Sequence, residues 1–197
     1  LVCLLPLLNI VAISFSSSAA VEGNMVGLIP VGFSTAAYKK ILEDSQFWHS
    51  FLISVERVVL TLIINFVLIV LMAYPLSKTN AQFRGRNIYA NLMIFAMLFN
   101  GGMIPTFLLV KSYGLLNTVW ALVLPGAVPI FNVILVMNFF AAVPKELEEA
   151  AFIDGANPLQ VLTKIFIPIS KPVLATVSLF SIVGSWNDFY SGLIYMS

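Results

Sequence analysis

From Phe51 to Leu76 the chain reads FLISVERVVLTLIINFVLIVLMAYPL, an apolar run whose only charged members are Glu56 and Arg57. About 20 apolar residues span the ~30 Å hydrocarbon core of a bilayer, and every backbone polar group there must be paired within the segment. Such a run is read as a membrane helix. Similar stretches begin near Ile88, near Asn117 and at Pro172, and a shorter one runs from Leu1 to about Phe15. Composition agrees: 60% of the 197 residues are hydrophobic and 10% charged, against roughly 25% charged residues in ordinary soluble domains. A soluble enzyme is excluded. The formal net charge of +1 supplies no basic field for nucleic acid. With Cys3 and His49 the only residues of their kinds, neither an internal disulfide nor a Cys/His metal site can be assembled.

Punctuation divides the chain into about five spans. The Leu1–Phe15 stretch ends in Ser16, Ser17 and Ser18 and could pass for a signal peptide. With no positive region ahead of it, it reads better as the outer part of a helix whose start is missing. The second span ends at Pro75. The third meets Asn100, Gly101, Gly102 and Pro105, where Gly and Pro should break it and leave a short helix from Pro105 to Lys111. The fourth, about Asn117 to Val143, should kink at Pro125 and Pro129; the fifth runs from Pro172 to about Met196. Lys78, Arg84 and Arg86, with no acid among them, place Ser77–Asn87 in the cytoplasm by the positive-inside rule. By parity Pro144–Lys171, with Lys145, Lys164 and Lys171, lies on the same side, and Ser16–Ser50 outside.

Between spans four and five lie 28 residues, PKELEEAAFIDGANPLQVLTKIFIPISK. Pro144 suits a first helical position, Glu146, Glu148 and Glu149 complement the helix dipole, and Gly155 stops the helix. Asn157 can cap a second helix opened by Pro158, with Leu159, Leu162, Ile165 and Phe166 on one face and Pro168 closing it. The result is an elbow whose small residues, Ala150, Ala151, Gly155 and Ala156, let another backbone approach closely. Spacing alone leaves two uses open: docking in a partner's cleft, or a plain connector.

Glu149-Ala150-Ala151, three residues, Gly155, nine residues, then Ile165, one residue, Ile167 and Pro168 resembles the EAA signature of ABC importer permeases. Ile167 departs from the usual Leu, a volume-conserving change. Asp154-Gly155-Ala156 fits the family's common form. Ala73-Tyr74-Pro75-Leu76-Ser77, Gly101-Gly102-Met103-Ile104-Pro105, Gly114-Leu115-Leu116-Asn117-Thr118 with Trp120, and Trp186-Asn187-Asp188 extend the resemblance over nearly the whole chain. They narrow it to permeases of oligosaccharide importers of the maltose-transporter type, in the polysaccharide and lipoprotein-linked subgroup. The resemblance implies an all-α polytopic helical bundle of the type I ABC importer permease fold. Residues 1–197 then form one transmembrane permease domain, incomplete at both ends, showing about five spans of an expected six. It further implies a multi-pass protein of the bacterial inner (cytoplasmic) membrane, in contact with membrane lipid and with no nucleic acid. Its partners would be a second permease in a heterodimer, two ABC ATPase subunits and an extracytoplasmic sugar-binding protein. The segment 144–171 would be the cytoplasmic coupling segment, with Glu149, Ala150, Ala151, Asp154, Gly155, Ala156, Ile165 and Pro168 meeting the ATPase.

No phosphate-binding loop of either G-x-x-x-x-G-K-[ST] or G-x-G-x-x-G form is present. The chain is therefore expected to bind no cofactor and to be no enzyme, with ATP and Mg used by the partner ATPase. Polar side chains at membrane depth are costly and face a cavity or another helix. Ser178, Ser181, Ser185 and Asp188 follow one helical face, a pattern that serves packing as readily as transport. Trp186, Asn187, Asp188 and Tyr190 are candidates for a sugar pathway, since rings stack on sugar C–H surfaces while amides and carboxylates bond hydroxyls; Asn100 and Asn132 are weaker ones. Ser54, Arg57, Thr61 and Asn65 share a face in span two, where Arg57 is expected to snorkel outward. The competing readings are an ABC permease for another small solute, such as an amino acid, and a secondary transporter using Glu56 or Asp188.

Overall fold

The structure, a computed structural model, describes residues 2–99 and 101–196; the candidate Asn100 lies outside the described residues. The described residues form helices and connecting turns, and they divide into two compact units, Leu1–Ile53 and Ser54–Ser197.

In the first unit α1 (Leu5–Ser14) is apolar apart from Asn9 and Ser14 and buries only Ala12. Hydrogen bonds tie the segment after it back to its end. Ser16 Oγ donates to the Ala12 carbonyl at 2.6 Å and accepts from the Val31 N–H at 3.0 Å, while Asn9 Nδ2 donates to the Gly27 carbonyl at 2.7 Å. Phe15 stacks on Phe33 and Tyr38, and the Tyr38 hydroxyl lies 2.8 Å from Ser14 Oγ. Two short helices, α2 (Ser18–Glu22) and α3 (Ala36–Glu43), complete this folded excursion.

α4 (Ser45–Leu76) is continuous over 32 residues, about 48 Å at 1.5 Å per residue. Among the described residues, only this helix is by itself long and apolar enough to cross a membrane, with up to four crossings if each bent pair of helices counts as one. The five spans read from the sequence include α1, whose 10 residues make it a shorter apolar helix. The buried face of α4 changes character along its length. Arg57, Thr61 and Asn65 make one half polar; Ile69, Val70, Ala73 and Leu76 make the other apolar.

α5 (Arg86–Leu98) starts after Gly85 at φ 89°, and α6 (Met103–Ser112) after Gly102 at φ 88°. The break near Gly101-Gly102 is where the sequence puts it, though α6 is longer than the predicted Pro105–Lys111. α7 (Val119–Val123) and its following turn meet α8 (Ile130–Ala141) at 48°, at the predicted prolines. α9 (Lys145–Ile153) has Pro144 at its N-cap, one position earlier than expected, and Gly155 at φ 81° after its end. α10 (Pro158–Val161), a π-helical turn Leu162–Phe166 and α11 (Ile167–Ile169) form the second arm of the elbow, which meets α12 (Lys171–Asn187) at 84°. Of the expected shared face, Leu162 and Phe166 are buried and Ile165 is half-buried, whereas Leu159 is 62% exposed and Val161 is buried instead.

The fifth span is not one helix. It breaks at Asp188 and resumes as α13 (Phe189–Tyr195), because the Asp188 carboxylate accepts the Ser191 N–H at 3.1 Å and caps the second piece. The main core of this unit joins Ile69, Val70 and Ala73 of α4 with Val133, Val136 and Phe140 of α8, Leu162 and Phe166 of the elbow, and Leu174 and Val177 of α12. A smaller cluster packs Val110, Ala121 and Leu122 around Tyr195.

Candidate functional site

Above the apolar core, the polar half of α4 faces a cavity of about 300 Å³, lined also by the α7–α8 break, α8, α12 and α13. Arg57, Thr61 and Asn65 reach it at steps of four, which is one face of a helix, and Asn132, Ser181 and Asp188 face them. Arg57 is 8% exposed and does not snorkel: Nη1 donates to the Asp188 carbonyl at 2.9 Å, and Nη2 pairs with the Asp188 carboxylate. The reason is local. The break at Asp188 presents a main-chain carbonyl and a carboxylate together, a closer partner for the guanidinium than distant water. Asn65 Nδ2 donates to Ser181 Oγ at 3.2 Å, and Ser181 Oγ donates to the Val177 carbonyl at 3.1 Å. Arg57 Nε, Thr61 Oγ1 and Asn65 Oδ1 are buried with no hydrogen-bond partner. Pairing Asp188 with Arg57 removes one of the two acids a secondary transporter would use, and Glu56 is exposed.

The elbow is the second place where functional residues gather. Asn157 Oδ1 accepts the Gln160 N–H and Gln160 Oε1 accepts the Asn157 N–H, both at 2.9 Å, a reciprocal cap that fixes the start of the second arm. Ala151, Asp154, Gly155, Ala156, Lys164 and Ile165 line a concavity of about 510 Å³ on its outer side. Ile153, 86% exposed, projects at the bend.

Sequence reasoning passed over Glu148 in favour of Glu149. Glu149 is exposed, whereas Glu148 is buried, with Lys78 Nζ at 2.7 Å from Oε2 and the Tyr74 hydroxyl donating to Oε1 at 3.2 Å. Lys78 Nζ also stands 4.1 Å from the Tyr74 ring centre and 4.3 Å from that of Phe166, two rings packed edge to face. Burial holds the Lys78 ammonium below the usual lysine value, against the opposing hydrogen bond and charge of Glu148. This clasp fastens α9 and the π-helical turn to the end of α4. The Tyr74 ring was visible only as part of a motif, and the 70-residue separation of its partners leaves no local signal.

Of the other candidates, Ala150, Asp154, Gly155 and Pro168 are exposed, and Ala151, Ala156 and Ile165 half-buried. Asn132 and Asp188 line the cavity. Trp186 (55% exposed), Asn187 and Tyr190 (72% exposed) lie outside it on the surface of the unit. Among the described residues, no group of three or more His, Cys, Asp or Glu side chains could hold a metal ion.

Residues 29–197 match the family described as binding-protein-dependent transport system inner membrane component. Protein LplC of Bacillus subtilis is 44% identical over 196 residues, covering 100% of this chain and 66% of that one. The polygalacturonan/rhamnogalacturonan transport system permease protein YtcP of the same organism is 43% identical over 197 residues, covering 100% of this chain and 68% of the relative. A crystal structure of a bacterial ABC transporter involved in the import of the acidic polysaccharide alginate superposes with a TM-score of 0.93 at 37% identity, over 99% of this chain and 69% of the matched one. The chain thus spans about two thirds of the length of the proteins it matches. Fold, family and motifs agree: the chain belongs to the inner-membrane permeases of binding-protein-dependent ABC importers, whose ATP is used by a separate ATPase, and lies close to their oligosaccharide permeases.

Proposed function

We propose that this chain is the membrane subunit of an ATP-driven oligosaccharide importer, and that Glu149–Ala156 is the helix through which ATPase movement enters the membrane. The observation that carries this reading is the elbow. It is capped at Asn157, turned at a left-handed Gly155, clasped to α4 through Glu148, and presents small residues and Ile153 outward. A rigid element transmits a rigid-body motion; a loose loop absorbs it. The small side chains of Ala150, Ala151 and Ala156 suit close docking in a cleft, and Asp154 offers a carboxylate to basic groups there. A plain connector needs neither a reciprocal cap nor a buried ion pair.

The cargo reading is supported by the relatives, among them proteins named for polygalacturonan, rhamnogalacturonan and alginate. Residues 1–197 belong on this reading to one permease domain, with 144–171 its cytoplasmic coupling segment. A second, different permease subunit completes the pathway, and the exposed Trp186, Asn187 and Tyr190 serve the sugar where the two subunits meet. Two ATPase subunits and an extracytoplasmic sugar-binding protein complete the assembly. Deleting the gene and measuring uptake of labelled oligosaccharides and amino acids in parallel tests the cargo. A sugar-specific loss is expected; loss of amino-acid uptake with sugar uptake intact would assign the permease to the other solute.

A further inference from the structure

We propose that the cavity on the polar half of α4 is a carboxylate subsite, in which Arg57 takes the acid group of a uronate unit and Asp188 is the internal occupant that the sugar replaces. The inference rests on the import reading and adds the substrate class: acidic rather than neutral oligosaccharides. A guanidinium has five donors in a fixed fork. Asp188 occupies the Nη1–Nη2 side, through its carbonyl and its carboxylate, while Nε has no partner. The Nε–Nη2 edge, with its Nε hydrogen unused, is left to bind a carboxylate through two parallel hydrogen bonds once Asp188 releases Nη2.

Its neighbours suit the rest of a sugar. Thr61 Oγ1 and Asn65 Oδ1 are likewise buried and unpartnered on the same helical face. Sugar hydroxyls can donate to both, with Asn132 across the cavity. The volume of about 300 Å³ is at the low end for small-molecule sites, which suits a single sugar unit of a chain moving through. A neutral sugar would satisfy Thr61 and Asn65 yet leave Arg57 dependent on Asp188. Asp188 also caps α13 through Ser191, so a carboxylate that takes over Arg57 acts directly on the break in the last span.

Binding of tri-galacturonate and of its carboxyl-reduced counterpart, galactotriose, to the assembled importer in nanodiscs without its binding protein tests this. The wild type should favour the acid by about tenfold or more, the worth of a charge-assisted hydrogen bond. Arg57→Gln should abolish that preference, and Asp188→Asn, which removes the competing carboxylate, should increase it. The double variant Arg57→Gln/Asp188→Asn removes the ion pair as a unit and guards against misfolding of either single one; it should bind both sugars alike. Equal binding of the two sugars by the wild type, or an equal loss of both in Arg57→Gln, overturns the subsite. If neither sugar binds although the complete importer takes both up, the subsite falls and the import reading stands. If the complete importer takes up no sugar, both fall.

Discussion

Lys78 and Glu148, 70 positions apart in sequence, meet at 2.7 Å with side chains only 12% and 11% exposed. Removing one partner of such a pair strands a buried charge, at about 3 kcal/mol or more, whereas replacing both by apolar groups can be neutral. Lys78→Met and Glu148→Leu should therefore each lower the thermal stability of the solubilised permease, and the double variant should recover most of the loss. A double-mutant cycle reads this directly; additive losses would show that the two side chains do not act as a pair. The lowered Lys78 value has its own consequence. Between that value and the ordinary one the unfolded chain binds more protons, so this contribution to stability rises with pH. It is complete above the unfolded value and lost as pH falls through the folded one, and Lys78→Met should flatten that slope. Such pairs are hard to foresee. The stripe Arg57, Thr61, Asn65 could be read from a step of four, but that Arg57 turns inward to Asp188 depends on a helix break that the apolar run from Pro172 to Met196 conceals.

Among the elements, the elbow was the most legible, because its signals are local: a glycine after a short charged helix, then Asn-Pro opening the next. Gly155 at φ 81° has no heavy atom within 4 Å of where a Cβ would sit, so a side chain there meets backbone strain, not a clash. Gly155→Ala should cost about 1–2 kcal/mol. Gly155→Val, β-branched, should cost more and re-aim the second arm. Asn157→Ala should remove half of the reciprocal cap at about 1 kcal/mol, seen as faster amide hydrogen exchange over Leu159–Val161 with the rest of the chain unchanged. Unchanged exchange would mean that packing alone fixes that arm. The π-helical turn at Leu162–Phe166 left no trace in the sequence, since it answers to what Phe166 packs against, the rings of Tyr74 and Phe140.

At the scale of the molecule, apolar run length gave the helical class and the position of α4, and prolines and glycines gave the breaks near Gly102 and Pro129. Long-range pairing, which decides the cavity and the clasp, is not a property of runs. The charge distribution predicts that Ser34→Cys in a Cys3-free chain reacts with an impermeant thiol reagent from outside intact cells, while Gln82→Cys stays protected; the opposite pattern inverts the topology. The central claim, that the α9 elbow couples a separate ATPase to sugar movement, is tested most directly in vesicles holding the permease, its ATPase and the binding protein. Sugar-stimulated ATP hydrolysis and sugar uptake are measured there for wild type, Gly155→Val and Ala151→Trp. Both variants should remain inserted yet either lose the ATPase or hydrolyse ATP without uptake. Normal ATPase association with normal stimulated hydrolysis and normal uptake in both would contradict the account.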